Sequence, residues 1–447
     1  MFEADRSYVF QNIRIINPSL DVTQTTELSG GRDLTGGDST GDVWIDKGVL
    51  KAIAARIEGI PDGSEVVDAS GWVIGPGLVD LYAQSGEPGY EQRETLQSLG
   101  QAALAGGFTQ VGLLPTTHPV VDTPDRLQAI LNQASTFAPQ WLPYAAITQN
   151  AAGESLTELA ELNDSGAIAF CDNHPIASLP LLRRFLEYVH PLQMPILLWP
   201  QEPALAGGAM LEGEWSIRLG VKGICAAAEP LAIAQILELV ALTNTPVHLM
   251  RLSQARSVEL VRQARSSGLP ISASTTWMHL LLCDRDIEPF HYHPALHLAA
   301  PLGTERDRQA LIEAVKDGAI AAIATDHTPY TFEEKTVSFA EAPAGAIGLE
   351  LALPLLWQEL VKSGTMSAEE LWAALSTHSA SVLGIAAPQL TVGEPANCTI
   401  FDPDLTWNVD EQSLSSLSAA TPYWHKTVKG KPLACWHHGN CWSHKSL

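Results

Sequence analysis

Histidines, carboxylates and thiols are the side chains here that could do chemistry, and their spacing sorts them. His291-Tyr292-His293, with His297 four positions on, sets two imidazoles two residues apart. On a strand such a pair shares a face and can chelate a metal ion. The stretch runs into Ala300-Pro301-Leu302, which reads as loop, so a surface or partner-facing cluster is the expectation. Trp436-His437-His438 and His444 read as exposed or interface residues of a C-terminal tail, and His279 as a packed, hydrogen-bonded imidazole. Two carboxylates end short apolar runs: Asp172 in Phe170-Cys171-Asp172-Asn173 and Asp326 in Ala324-Thr325-Asp326-His327. A carboxylate in that position can act as a general base or bind a metal, or can be an ordinary hydrogen-bonded group. Cys171, Cys225, Cys283, Cys398, Cys435 and Cys441 are scattered, with no C-x-x-C pair. That is the usage of a reduced, cytoplasmic protein whose thiols serve as small core residues. Cys435 and Cys441 sit where a hairpin could bring them together, and are read as unpaired.

The elements that must position these groups fall into two kinds. Val9–Ile16 alternates and ends in Asn17-Pro18, Val43–Leu50 turns at Lys47-Gly48, and Ser64–Val73 is interrupted by Gly71, so the first 70 residues or so read as strands. Leu28–Asp42 is rich in Gly, Ser, Thr and Asp and reads as a polar loop. Asn397–Phe401, Thr427-Val428 and Pro432–Trp436 return to the strand pattern near the other end. Residues 1–75 and 389–447 are therefore assigned to one composite β domain, and 76–388 to a separate middle.

In that middle, apolar runs at Gln110–Leu114, Tyr144–Thr148, Ala167–Cys171, Pro195–Leu198, Val247–Arg251, Pro270–Ala273 and Ala321–Thr325 alternate with helical spacing, as in Pro180–His190 and Pro230–Leu242. The rhythm predicts a parallel sheet, and about eight repeats suit a closed (β/α)8 barrel. An open doubly wound sheet is the alternative, weakened because the first βα turn lacks G-x-G-x-x-G. Barrel chemistry sits where strands end. Those positions are Tyr82, Gln84, Thr116, Asp172, Trp199, Arg251, Thr276 and Asp326.

Composition narrows the function. Of 447 residues 46% are hydrophobic and 17% charged, enough for a large core, and the formal net charge is −24. A phosphate-neutralising surface needs a basic face, and an anionic membrane repels an acidic one, so neither nucleic acid nor membrane is an expected partner. The opening MFEADRSYVF lacks the basic and apolar regions of a secretory signal, and no run reaches the roughly 18 apolar residues of a membrane span.

The chain resembles the dihydroorotases of the cyclic amidohydrolase superfamily. The likeness is carried by GPGLVDLYAQSGEPGYEQRET, GGFTQVGLLPTTHPVVDTP, AFCDN, LEGEWSIRLG, PVHLMRLS, APLGTERDR, AIATDHTP and APAGAIGLE, which stand in family order and continue into GEPANCTIFDP and TPYWHKTVKGK. It implies the barrel plus a composite β-sandwich. Active members use one or two zinc ions to activate water and polarise a cyclic amide. Their ligands come from an H-x-H after the first strand, a bridging Asp, a His on each of two later strands, and a final Asp that serves as general base.

Matched position by position, the site is rewritten. The H-x-H falls on Tyr82-Ala83-Gln84, and the later histidines fall on Trp199 and Arg251. Asp172, at the bridging metal position, and Asp326, at the catalytic position, remain. The family's substrate-clamping Arg falls on Gly86 and its partner Asn on Thr116; the Asn and Arg of N-P-P-L-R fall on Ala299 and Gly303, and the His closing D-H-A-P-H falls on Tyr330. Two carboxylates without imidazoles do not make a zinc site, and an inward Arg251 would oppose a dication. The resemblance therefore implies a non-catalytic dihydroorotase homologue with no substrate-binding residues and no cofactor, in which Asp326 is idle and Asp172 holds no metal. Zinc would return only if the chain is a working hydrolase. Family members of this kind assemble with aspartate carbamoyltransferase, which is the implied partner, and an oligomer is expected.

Overall fold

The computed structural model describes residues 2–18, 38–60, 62–134 and 139–444. Eight short parallel strands form its centre: barrel strand 1 (Leu78–Ala83), strand 2 (Phe108–Leu113), strand 3 (Gln140–Ala145), strand 4 (Ala169–Phe170), strand 5 (Leu197–Leu198), strand 6 (Val247–Leu249), strand 7 (Ile271–Thr276) and strand 8 (Ala322–Ala324). Strands 1 to 4 pair in chain order, as do strands 5 to 8. Parallel bridges Phe170–Ile196 and Ala83–His327 join the two halves at both seams, and Gln84 N donates to His327 O at 2.8 Å. The sheet is thus closed, which settles the barrel against an open sheet.

Every residue of strands 1 and 2 is buried, as it must be where side chains alternate between a filled interior and an outer helical layer. Leu81, Tyr144, Ala169, Leu197 and Ala324 belong to the buried interior cluster, together with Ala380 and Leu383 of the segment around helix Thr377–Val382. Ser376 Oγ donates to Gly77 O at 2.7 Å, tying that helix to the start of strand 1. The outer helices begin where the sequence supplies caps. Thr95 and Ser98 form a capping box ahead of Leu96–Ala105, and Thr304 and Asp307 do the same for Glu305–Lys316.

Both termini meet in one eight-stranded sheet. Ser7–Ile16, Asp38–Asp46, Val49–Ala54, Glu65–Asp68 and Val73–Pro76 come from the first part of the chain, and Cys398–Asn408, Thr427–His437 and Asn440–Ser443 from the last. The central join is antiparallel pairing of Val73–Pro76 with Cys398–Phe401. The sheet curls over its own core, so Trp436 packs against Tyr8 and Phe10 although two strands separate theirs in the sheet order.

Some boundaries differ from the sequence reading. Residues 28–37 of the expected polar loop lie outside the described residues, and Asp38–Asp42 opens a strand instead. Thr427–Val428 and Pro432–Trp436 are parts of one strand, with Gly430 at φ +93° inside it and a register shift opposite. Cys435 pairs in register with Trp442 and Cys441 with Trp436, and all six thiols are free. Among the described residues no helix is long and apolar enough to cross a membrane.

Candidate functional site

The strand ends converge on Arg251, just beyond strand 6. Its side chain is only 2% exposed and forms a bidentate ion pair with Asp326, Nε to Oδ2 at 2.8 Å and Nη2 to Oδ1 at 2.6 Å. Nη2 also donates to Asn173 Oδ1 at 2.7 Å. The guanidinium carbon lies 5.2 Å from the ring centroids of both Tyr82 and Trp199, a cation–π contact on each, and Nη1 is buried without a hydrogen-bond partner. Burial alone would depress the Arg251 pKa, but the charge and bonds of Asp326 outweigh it and hold it above the usual value. Arg251, Asp326 and Asn173 all have left-handed backbone, at φ +56°, +47° and +56°. Three such residues, just past strands 6, 8 and 4, meet through their side chains across the end of the barrel.

Around this pair the barrel interior is hydrogen-bonded, not open. Tyr82 Oη accepts from Arg251 N at 3.3 Å and lies 3.1 Å from Ser274 Oγ. Ser274 Oγ is 2.8 Å from His248 Nε2, whose Nδ1 is 2.8 Å from Ser272 Oγ. Burial pushes the His248 pKa down to about 3, so this imidazole is neutral. Tyr82 therefore does more than fill a vacated place: it links strand 1 to strands 6 and 7.

Asp172 is not part of this group. Its oxygens accept from Thr148 N at 2.9 Å and Thr148 Oγ1 at 2.5 Å, and burial raises its pKa to about 6 against the pull of those bonds. Of the two carboxylates that Arg251 could have neutralised, it takes Asp326, and Asp172 pins the loop after strand 3.

The two glycines that the resemblance matches to substrate-clamping arginines are closed in by backbone. A Cβ on Gly86 would lie 2.3 Å from Tyr90 O and 2.4 Å from Glu94 O, and one on Gly303 would lie 2.6 Å from Ser253 O. Neither position has room for an arginine without moving its loop. Thr116 Oγ1 accepts from Asn173 Nδ2 at 3.2 Å, and Tyr330 Oη donates to Ala344 O at 3.2 Å. Arg93 pairs with Glu334 across the mouth and lies over the rings of Tyr90 and Tyr330.

The remaining histidines have structural partners or none. His293 Nδ1 accepts from Ala295 N at 3.2 Å, His297 Nδ1 donates to Ala342 O at 2.7 Å, and His291 is exposed. His279 lies between Thr276 Oγ1 at 2.7 Å and Ala300 O at 3.1 Å, and burial lowers its pKa to about 4. His437 departs from the expected exposed tail: both its ring nitrogens are buried without partners, its ring centroid lies 4.2 Å from that of His438, and burial takes its pKa to about 4.

Sequence reasoning missed Asn173 as the third member of the Arg251 group. It also missed buried Glu94 and Glu350, read at most as scaffolding. Glu94 Oε2 faces His327 Nε2 at 3.4 Å, and Glu350 accepts from Ser415 N at 2.8 Å and Ser416 N at 3.1 Å. Asn directly after Asp172 was a usable signal, since Asn tolerates left-handed backbone. The Glu350 partners, and His327, Ser416 and Leu417 about Glu94, lie far along the chain and left no local trace, whereas the Ser98 hydroxyl that donates to Glu94 is four positions on.

These donors do not fit zinc. The guanidinium occupies both oxygens of Asp326, Asp172 is committed to Thr148, and the matching imidazole positions hold a phenol, an amide, an indole and a guanidinium. Among the described residues no three His, Cys, Asp or Glu are grouped to hold a metal ion. A unit charge 4 Å from Arg251 would be opposed by ~4 kcal/mol at an effective dielectric of about 20, and a dication by twice that.

Comparison with known proteins agrees on ancestry. The sequence matches the Dihydro-orotase-like family over residues 71–253 and the Amidohydrolase family over residues 206–430. It is 41% identical over 404 residues to a probable dihydroorotase-like protein of Synechocystis sp., covering 84% of this chain and 90% of that one. It is 37% identical over 395 residues to a dihydroorotase of Pelotomaculum thermopropionicum, covering 88% and 92%, and 35% identical over 442 residues to one of Solibacter usitatus, covering 98% of both. The fold superposes on an L-hydantoinase (dihydropyrimidinase) from Arthrobacter aurescens with a TM-score of 0.83, at 21% identity and covering 100% of this chain and 97% of that one, a likeness of fold alone. With a closed barrel, a composite terminal sheet and relatives of this closeness over most of its length, the chain belongs to the dihydroorotase-like proteins of the amidohydrolase family.

Proposed function

We propose that this chain is a non-catalytic dihydroorotase homologue of de novo pyrimidine biosynthesis, retained in the cytoplasm as a structural partner of aspartate carbamoyltransferase. The observation that carries the non-catalytic half is the Arg251–Asp326 pair: a buried guanidinium stands where a metal-centred site would have to form. Closure of Gly86 and Gly303 supports it, because the substrate anchors are lost along with the metal ligands. The partner half rests on the family resemblance and on a scaffold kept while its chemistry was replaced. Two measurements test the reading. Zinc analysis of chain purified without chelator from zinc-supplemented medium should find well under one ion per chain, and size-exclusion chromatography with the host's aspartate carbamoyltransferase should show co-migration. Bound zinc with turnover of dihydroorotate refutes the first half, and separate migration refutes the second.

The second reading is a working dihydroorotase that interconverts dihydroorotate and N-carbamoyl-L-aspartate. The relatives at 35% and 37% identity that carry the name dihydroorotase favour it. It requires Arg251 to release Asp326, and zinc-dependent turnover abolished by Asp326→Ala would establish it.

A further inference from the structure

A cleft opens at the end of the barrel away from Arg251. The segments that lead into strands 5, 6, 7 and 8 wall it, together with helix Thr377–Val382, and its volume is about 720 Å³. Sites for small organic molecules span roughly 300–1,000 Å³ and are mostly apolar with a few placed polar groups. This lining has that character. Pro195, Pro246 and Pro270 stand at the strand starts and offer no N–H, and most of the remaining wall is aliphatic. Arg265, exposed at the rim, brings the positive charge. Among the described residues no Asp or Glu lines the cleft, in a chain that has 50 of them.

The hydrogen bonds that cross the barrel from Arg251 to this cleft all run one way. Tyr82 is buried, accepts from Arg251 N, and has Ser274 Oγ as its one acceptor among the described residues, so its hydroxyl donates there. Ser274 then donates to its other partner, His248 Nε2. His248 is neutral and 3% exposed, so an accepting Nε2 leaves the proton on Nδ1, which donates to Ser272 Oγ. Ser272 has no other partner among the described residues, and its own O–H is left to donate into the cleft. Arg265 gives Nη1 to Gly318 O and Ala319 O, while its Nε and Nη2 make no hydrogen bond among the described residues. Donors and a positive charge beside apolar walls select an anionic acceptor carried on an apolar body. We propose that the cleft binds a small organic anion, a carboxylate or sulfonate on a ring, with an oxygen on the Ser272 hydroxyl, its charge facing Arg265 and its ring against the walls.

The probe is 8-anilinonaphthalene-1-sulfonate, titrated into the full chain and followed by its fluorescence, a readout independent of whether the barrel is catalytic. The wild type should bind it at one site per chain with a dissociation constant on the order of tens of micromolar, and benzoate should compete. Arg265→Glu should raise that constant about tenfold and Ser272→Ala about threefold. Ser381→Trp, which adds an indole to the lining, should abolish binding. Arg184→Glu, at an exposed cation on the outer helix Leu179–Val189, should leave it unchanged. Ser272→Ala also takes the acceptor from His248 Nδ1, so its fold is checked by circular dichroism and thermal unfolding; Arg265 and Ser381 are exposed, and their variants should keep the wild-type spectrum. A folded wild type that binds no probe overturns the proposal. So does binding indifferent to Arg265→Glu and Ser381→Trp, a folded Ser272→Ala variant with wild-type affinity, or an equal loss in Arg184→Glu, which would put the dye on the outer helices.

Discussion

Removing either half of the Arg251–Asp326 pair should destabilise the barrel, and by unequal amounts. Asp326→Ala leaves a guanidinium 2% exposed with Asn173 as its remaining side-chain acceptor. Stranding a buried charge in this way costs about 3–5 kcal/mol. Arg251→Met leaves the Asp326 side chain 17% exposed, where water can reach it, and the thioether side chain occupies much of the vacated volume. That change should cost about 1–3 kcal/mol. In the double variant both charges are gone and the site is apolar, so its cost should fall below that of Asp326→Ala, giving a coupling of about 3 kcal/mol. Urea unfolding at neutral pH measures this, followed by both fluorescence and circular dichroism because a chain of this size need not unfold in one step. With a slope of ~3 kcal/mol per molar urea, Asp326→Ala should lower the midpoint by about 1–2 M. Raising the salt concentration should alter the coupling little, because the pair is shielded from solvent. If Asp326→Ala lies within about 1 kcal/mol of wild type, or if the double variant loses the sum of the singles, the pair is not the structural centre of the strand ends.

Three further outcomes follow from the same geometry. Asp172 has a folded pKa raised to about 6, so its contribution is fully present below the unfolded value near 3.9 and is lost as pH rises through about 6. The stability of Asp172→Asn relative to wild type should therefore improve between about pH 4 and pH 7, and urea midpoints that run parallel across that range would exclude it. Gly86→Ala should destabilise by about 1–3 kcal/mol through overpacking against Tyr90 O and Glu94 O, with a Tm unchanged from wild type as the contrary result. Restoring imidazoles with Tyr82→His, Gln84→His, Trp199→His and Arg251→His together should give a chain that binds zinc, read by metal analysis after dialysis, whereas the single Arg251→His should not.

Much of the architecture was legible in the sequence because it is local. A short run such as Val247–Arg251, set in alternation with helical spacing, reads as a covered strand, of which Val247–Leu249 is one, and Thr95 and Thr304 cap helix starts through bonds to residues three positions away. Family order then placed Tyr82, Gln84, Trp199 and Arg251 at strand ends, and the chemistry of those side chains alone shows that no imidazole cage can form there. Gly86 and Gly303, where the resemblance expects arginines, were readable in the same way, since glycine has no group with which to bind a carboxylate.

The choice of partners was not legible. Arg251 had two carboxylates to choose from, and only the left-handed turns at Arg251 and Asp326 decided that it meets Asp326 while Asp172 turns to Thr148. Nor did the glycines show in sequence that backbone now fills their space, or Leu231 and Leu242 that their helix leaves them uncovered. The physical reason is common to all of these. Residue type and short-range spacing determine what a side chain can bond and which element it occupies, whereas ion pairs between residues 75 positions apart, close backbone contacts and exposed faces exist only once the barrel has closed and brought its strand ends together.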